Sequence, residues 1–132
     1  MHKAFLRTGA VFAALAVMLG AFGAHSIKEK VTAEVLAIFE TGVRYQVYHS
    51  LALLLTGILY MQFRSNAILW AGRLFRAGII LFSGSLYMLC YLKTIRQENL
   101  TVVGIITPLG GVAFIAGWIF LVIAVSGNKK RD

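Results

Sequence analysis

Charge is scarce in this chain. Only 14% of its 132 residues are Asp, Glu, Lys or Arg, where a soluble domain carries about 25%. That excludes an ordinary soluble enzyme, and it excludes a disordered segment, which needs high charge and low hydrophobicity. Cysteine is nearly absent. With Cys90 alone no disulfide closes within the chain, so a disulfide-stapled module is excluded, and there is no CxxC or CxxCH motif. Cys90 lies in an apolar run and is expected to pack as a small hydrophobe. Proline occurs once, as Pro108. Catalytic signatures are missing too: there is no GxSxG, HExxH, P-loop or GxGxxG, and no pair of carboxylates lies within an apolar run. His49 and Ser50 are adjacent and point to different sides of a helix, so the serine has no base. No catalytic residue is expected, and the chain reads as a non-enzyme.

Hydrophobic residues make up 59% of the chain, with thirteen glycines and nine phenylalanines; the mean hydropathy is +0.79. A soluble fold this small cannot hide so much apolar surface. The class that remains is a polytopic membrane protein, in which glycine is common. The net charge of +8 comes from short basic clusters between apolar runs, with no nucleic-acid motif. No nucleic-acid partner is expected. The partners implied are membrane lipids, with anionic headgroups at the cytoplasmic face attracting each basic residue by about 1 kcal/mol.

A helix needs about 20 mostly apolar residues to cross the hydrocarbon core. Four runs qualify: residues 4–23, 45–63, 74–92 and 102–125. The first begins with Lys3 and Arg7 and ends in small residues, as a signal peptide does. Its apolar stretch is long for a signal, and its small residues form a packing face, so it is expected to be retained. Residues 27–43 place Val31, Val35, Ile38, Phe39 and Gly42 on one helical face, with Lys30, Thr32, Glu34 and Thr41 away from it. This predicts a short amphipathic interfacial helix over about 28–43. The fold expected is all-α: one domain, a four-helix transmembrane bundle plus that helix. Lys3, Arg7, Arg64, Arg73, Arg76, Lys129, Lys130 and Arg131 lie on one side; Lys28, Lys30, Arg44, Lys93 and Arg96 lie on the other. The excess places both termini in the cytoplasm.

Membrane helices pack through small residues. In the first run Gly9, Ala13, Ala16, Gly20 and Gly23 recur at steps of four and three, and in the fourth Gly104, Thr107, Gly111, Phe114 and Trp118 do so. These stripes suit contacts within the chain, with a second copy, or with a larger membrane complex. Ser83, Ser85 and Thr107 read as interhelical hydrogen-bonding groups. Pro108 removes one backbone donor and, with Gly110 and Gly111 after it, predicts a kink.

The expected depths gather His25, Glu40, Arg44, Tyr45, Gln46, His49, Ser83, Tyr87 and Thr107 near the outer face, with Glu40 and Arg44 spaced for a helical ion pair. Ionisable residues at membrane depth raise a functional hypothesis. Here it is a ligand site, with Arg44 as the anion contact and Gln46 and His49 as hydrogen-bond partners; the other reading of His49 is a neutral imidazole donating to a carbonyl or hydroxyl on a neighbouring helix. His25 and His49 offer two nitrogens for a haem, but no further pattern supports one. A metal needs three or four ligands, and only His25, His49 and Glu40 are candidates. Neither cofactor nor metal is expected.

GAFGAHSI (20–27), YQVYHSLALL (45–54), AGRLFRAGIILFSGSLYML (71–89) and TPLGGVAFIAGW (107–118) stand in this order along the chain. In these segments it resembles the small bacterial inner-membrane proteins typified by YwdK and YgdD, a family of unknown function similar also to the eukaryotic transmembrane protein 256. The resemblance covers nearly the whole chain. It implies four transmembrane helices, a retained first helix and a plasma-membrane location, and no activity. His25, Gln46, His49, Ser50, Ser83, Ser85, Tyr87, Pro108 and Gly110 match the family pattern without an implied role. The function expected is binding of a lipid or small polar molecule at the outer cluster. The rivals are an oligomeric transporter or channel and an accessory subunit of a larger complex. Against transport, four short spans leave little room for a pore, and no repeat of broken helices is visible.

Overall fold

The structure, a computed structural model, describes residues 1–96 and 98–127. Lys129, Lys130 and Arg131, which contribute to the expected orientation, lie outside them. The elements are α1 (Lys3–Phe22), a π-helical turn (Gly23–Ile27), α2 (Ala33–Leu59), α3 (Asn66–Gly78), a second π-helical turn (Ile79–Ser83), α4 (Gly84–Thr94) and α5 (Thr101–Ser126). Among the described residues there is no strand. α1 runs straight into its π turn, and α3, its π turn and α4 form one continuous rod. Lys3–Ile27, Asn66–Thr94 and Thr101–Ser126 are each long and apolar enough to cross a membrane. α2 falls outside that set because Arg44, Gln46, His49 and Ser50 lower its hydropathy, although all but Arg44 are buried within the protein.

Local chemistry sets the helix starts. The Thr32 hydroxyl accepts from the Val35 amide at 3.3 Å, with Glu34 in the first turn. The Ser65 hydroxyl accepts from Ile68 at 3.4 Å, and His2 Nδ1 from Phe5 at 3.3 Å. Each caps amide groups that have no partner inside the helix. The Thr32 cap also corrects one expectation. Residues 33–43 are not a separate interfacial helix but the first turns of α2. Their apolar face is as expected, with Val35, Phe39 and Gly42 buried and Glu34 exposed. Hydropathy fell there because of charge, and helical hydrogen bonding does not require hydropathy.

α1 and α2 form an antiparallel hairpin along their whole length. A side chain on Gly57 would meet Leu6, one on Gly9 would meet Leu54, one on Gly20 would meet Val43, and one on Gly23 would overlap the Phe39 ring. The α3–α4 rod packs on α2, and α5 packs on that rod. Glycines here mostly receive rings. Phe5 fills the notch at Gly72, Tyr87 the notch at Gly42, Phe114 the notch at Gly78 and Phe75 the notch at Gly117. The last two make a reciprocal lock between α5 and the rod. At Gly110 alone does a neighbouring backbone, that of Phe82, come so close that any Cβ would overlap it.

The packing face of α5 is therefore Gly110, Phe114, Gly117, Leu121 and Ala124, all buried. This corrects the expected stripe at its glycines: Gly104 faces open space, and Gly111 touches Phe82 only at ordinary contact distance, 3.8 Å, while Phe114 is buried and Thr107 and Trp118 bond neighbouring helices. α5 continues as one helix on both sides of Pro108. The two ends of the molecule are chemically distinct. His2 bonds Gly57 through backbone atoms, and Phe63 and Arg64 lie beside Ile123 and Gly127, so the chain start, the 60–65 turn and the end of α5 share one end. The 28–32 turn and the end of α4 share the other.

Candidate functional site

The buried polar residues form a ladder between helices. Gln46 Nε2 donates to the Phe12 carbonyl of α1 at 2.8 Å, while its Oε1 accepts from the Tyr87 hydroxyl of α4 at 2.7 Å. One amide thus ties three helices. Ser83, in the second π turn, donates to the Gly42 carbonyl at 2.7 Å. The Ser85 and Thr107 hydroxyls meet at 2.6 Å between α4 and α5. Ser50 and Thr56 donate back to Gln46 and Ala52 carbonyls one turn earlier. Among the described residues, every buried side-chain nitrogen and oxygen has a partner, as low-dielectric surroundings demand.

His49 is held in one tautomer by its neighbours. Its Nδ1 lies 2.8 Å from the Tyr45 carbonyl, which can only accept, so Nδ1 carries the proton. Its Nε2 lies 3.2 Å from Trp118 Nε1, which can only donate, so Nε2 accepts. The ring stacks on Phe114 with centroids 3.4 Å apart. Both nitrogens are occupied inside the protein. A wide groove of about 420 Å³ runs past this bridge between α2 and α5, lined by Tyr45, Phe82, Phe114, Ile115 and Trp118.

The expected polar focus does not gather at a single depth. Counted along the α1–α2 hairpin, His49 lies roughly 20 Å from the level of His25 at 1.5 Å per residue, because α2 starts at Ala33 and not near Tyr45. His25, Glu40 and Arg44 are exposed. Glu40 and Arg44 form no ion pair, the one salt bridge among the described residues being Lys93 to Glu34 at 3.0 Å. Gln46, Ser83, Tyr87 and Thr107 are brought together across helices, and their hydrogen-bonding capacity is used there. Among the described residues no three His, Cys, Asp or Glu side chains come close enough to hold a metal ion.

A different place has the shape of a binding site. Where the end of α1, the 28–32 turn, the start of α2 and the end of α4 meet, an apolar cleft of about 290 Å³ opens. Phe22, Ile27, Val31, Phe39, Tyr87, Cys90 and Tyr91 form most of its wall, with Ser26, Lys30 and Thr94 at its border, and its surface is almost wholly apolar. Tyr87 presents its ring to the cleft while its hydroxyl reaches Gln46. Sequence reasoning missed Lys30, Val31 and Tyr91 as site residues. The available signal is a basic residue followed by apolar ones at a span end, which bears on orientation and on an amphipathic face but does not by itself mark a pocket.

Comparison with known proteins adds a family but no chemistry. Residues 19–111 match the family described as "Protein of unknown function (DUF423)". The chain is 45% identical over 123 residues to the UPF0382 membrane protein YwdK of Bacillus subtilis, covering 92% of this chain and 95% of that protein. It is 47% identical over 122 residues to the UPF0382 membrane protein SAB0533 of Staphylococcus aureus, covering 92% and 94%. A Staphylococcus saprophyticus UPF0382 membrane protein, SSP2132, is 46% identical over 121 residues, covering 92% and 95%. No solved structure matches with significance.

Proposed function

The chain belongs to the DUF423 family of membrane proteins of unknown function, and from that premise we propose that it is a non-enzymatic lipid-binding protein of the bacterial plasma membrane. In this reading α1, α2, the α3–α4 rod and α5 form a bundle of four spans. Both termini are cytoplasmic, where Lys3, Arg7, Arg64 and Arg73 meet anionic headgroups. The apolar cleft at the outer end holds the chain of a membrane lipid. The buried polar ladder holds the bundle and leaves the cleft open.

The observation that carries this reading is the cleft itself. Its walls are aromatic and aliphatic, the exposed Lys30 borders it, and its volume of about 290 Å³ is near the lower bound of roughly 300 Å³ for small-molecule pockets. Arg44, Gln46 and His49, first candidates for ligand contacts, are absent from its lining. Two of them spend their polar atoms on α1, α4 and α5.

Native mass spectrometry of the full chain from a gentle detergent tests this. Wild type should retain a lipid-sized extra mass, and Val31→Trp, which fills the cleft from its mouth, should lose it while keeping the same helical circular dichroism. Bare wild-type protein, or an adduct that survives Val31→Trp, would refute the reading.

A further inference from the structure

Beside the apolar cleft lies a second cavity of about 210 Å³, lined by Lys30, Val31, Thr32, Val35, Lys93, Thr94 and Arg96. Lys30, Val31 and Thr94 belong to both. The two therefore adjoin, one apolar and the other carrying three cations. Among the described residues the acid paired with this group is Glu34, 3.0 Å from Lys93 and largely exposed. Positive charge is left over in the cavity.

Arg96 carries an independent sign. It is the only non-glycine with positive φ among the described residues, at 56°. It follows the last turn of α4, its amide donating to the Lys93 carbonyl at 3.2 Å. That is the left-handed position after a helix where glycine is normally used, since a Cβ is disfavoured there. An arginine held in such a conformation, at the wall of a cationic cavity, is the kind of backbone outlier that accumulates at ligand sites.

Resting on the lipid-binding reading above, we propose that the bound lipid is anionic: its acyl chain lies in the apolar cleft and its phosphate meets Lys30, Lys93 and Arg96. The charge complementarity selects the head group, and continuity with the apolar cleft selects a lipid over a free anion. Arg96 supplies the planar, bidentate contact suited to phosphate. On binding, the phosphate competes with Glu34 for Lys93.

The test is native mass spectrometry of the full chain titrated with dioleoylphosphatidylglycerol or dioleoylphosphatidylcholine at equal concentrations. Wild type should take up the anionic lipid at least five-fold more than the zwitterionic one. Arg96→Gly should keep or raise the Tm, because glycine relieves the left-handed backbone, and yet cut that preference several-fold. Lys30→Gln should also cut it. Lys28→Gln, a change in an exposed residue that lines neither cavity, should leave it intact. Equal uptake of the two lipids by wild type, or an equal loss of preference in Lys28→Gln and Arg96→Gly, would overturn the head-group inference. In either case, loss of both lipids in Val31→Trp would still support the cleft. Lipid uptake unaffected by Val31→Trp would sink both readings together.

Discussion

At the scale of single residues, Gln46 and His49 were legible as polar groups that must face protein. Their partners were not legible. Phe12 contributes only a backbone carbonyl, which carries no sequence signal, and Trp118 reads as one more aromatic in an apolar helix. From the sequence both residues therefore stand open to a ligand as well as to a neighbouring helix, and the fold uses their capacity between helices. Interhelical hydrogen bonds in membranes contribute on average about 0.6 kcal/mol and at most about 1.7. Gln46→Leu removes two, to Phe12 and Tyr87, and should cost about 1–3 kcal/mol in an unfolding titration in mixed micelles. Trp118→Phe removes one, to His49, and should cost less. A Gln46→Leu protein as stable as wild type would show that the ladder does not hold the helices.

At the scale of elements, the helices themselves were readable from their apolar runs, and the α1 stripe was readable because Gly9, Ala13, Ala16, Gly20 and Gly23 fit only one face. α5 was ambiguous. Its glycines satisfy two helical frames, one through Gly104 and Gly111 and one through Gly110 and Gly117. Only the partners decide between them: Phe75 occupies the notch at Gly117 and the Phe82 backbone abuts Gly110. The α2 start was misplaced because hydropathy reports where lipid ends, while the Thr32 cap reports where the helix begins. The two frames of α5 separate experimentally. Gly110→Val should destabilise by more than the roughly 1–3 kcal/mol typical of overpacking, since backbone cannot yield as a side chain does. Gly104→Ala, in open space, should be neutral or gain up to about 1 kcal/mol of helix propensity. The same unfolding titration distinguishes them, and equal effects would contradict the assigned face.

At the scale of the whole molecule, the chain is a hairpin of α1 and α2 joined through the α3–α4 rod to α5, with apolar side chains such as Val17, Met18, Ile115 and Val122 exposed on its outer faces. Such a surface is stable only against lipid or protein. It offers a lipid many unspecific places to lie, so binding at the cleft must be told apart from ordinary solvation. The cleft could not be read from the sequence, because its walls come from two stretches far apart in the chain, 22–39 and 87–94, each unremarkable alone. A photoactivatable phosphatidylglycerol with a diazirine in its acyl chain, crosslinked in native-like membranes and mapped by peptide mass, measures this directly. The account predicts adducts concentrated on the segments bearing Phe39, Tyr87 and Tyr91, and lost in Val31→Trp. Labelling spread evenly over the exposed faces of α1 and α5, with the cleft no richer than Val17 or Ile115, would contradict it.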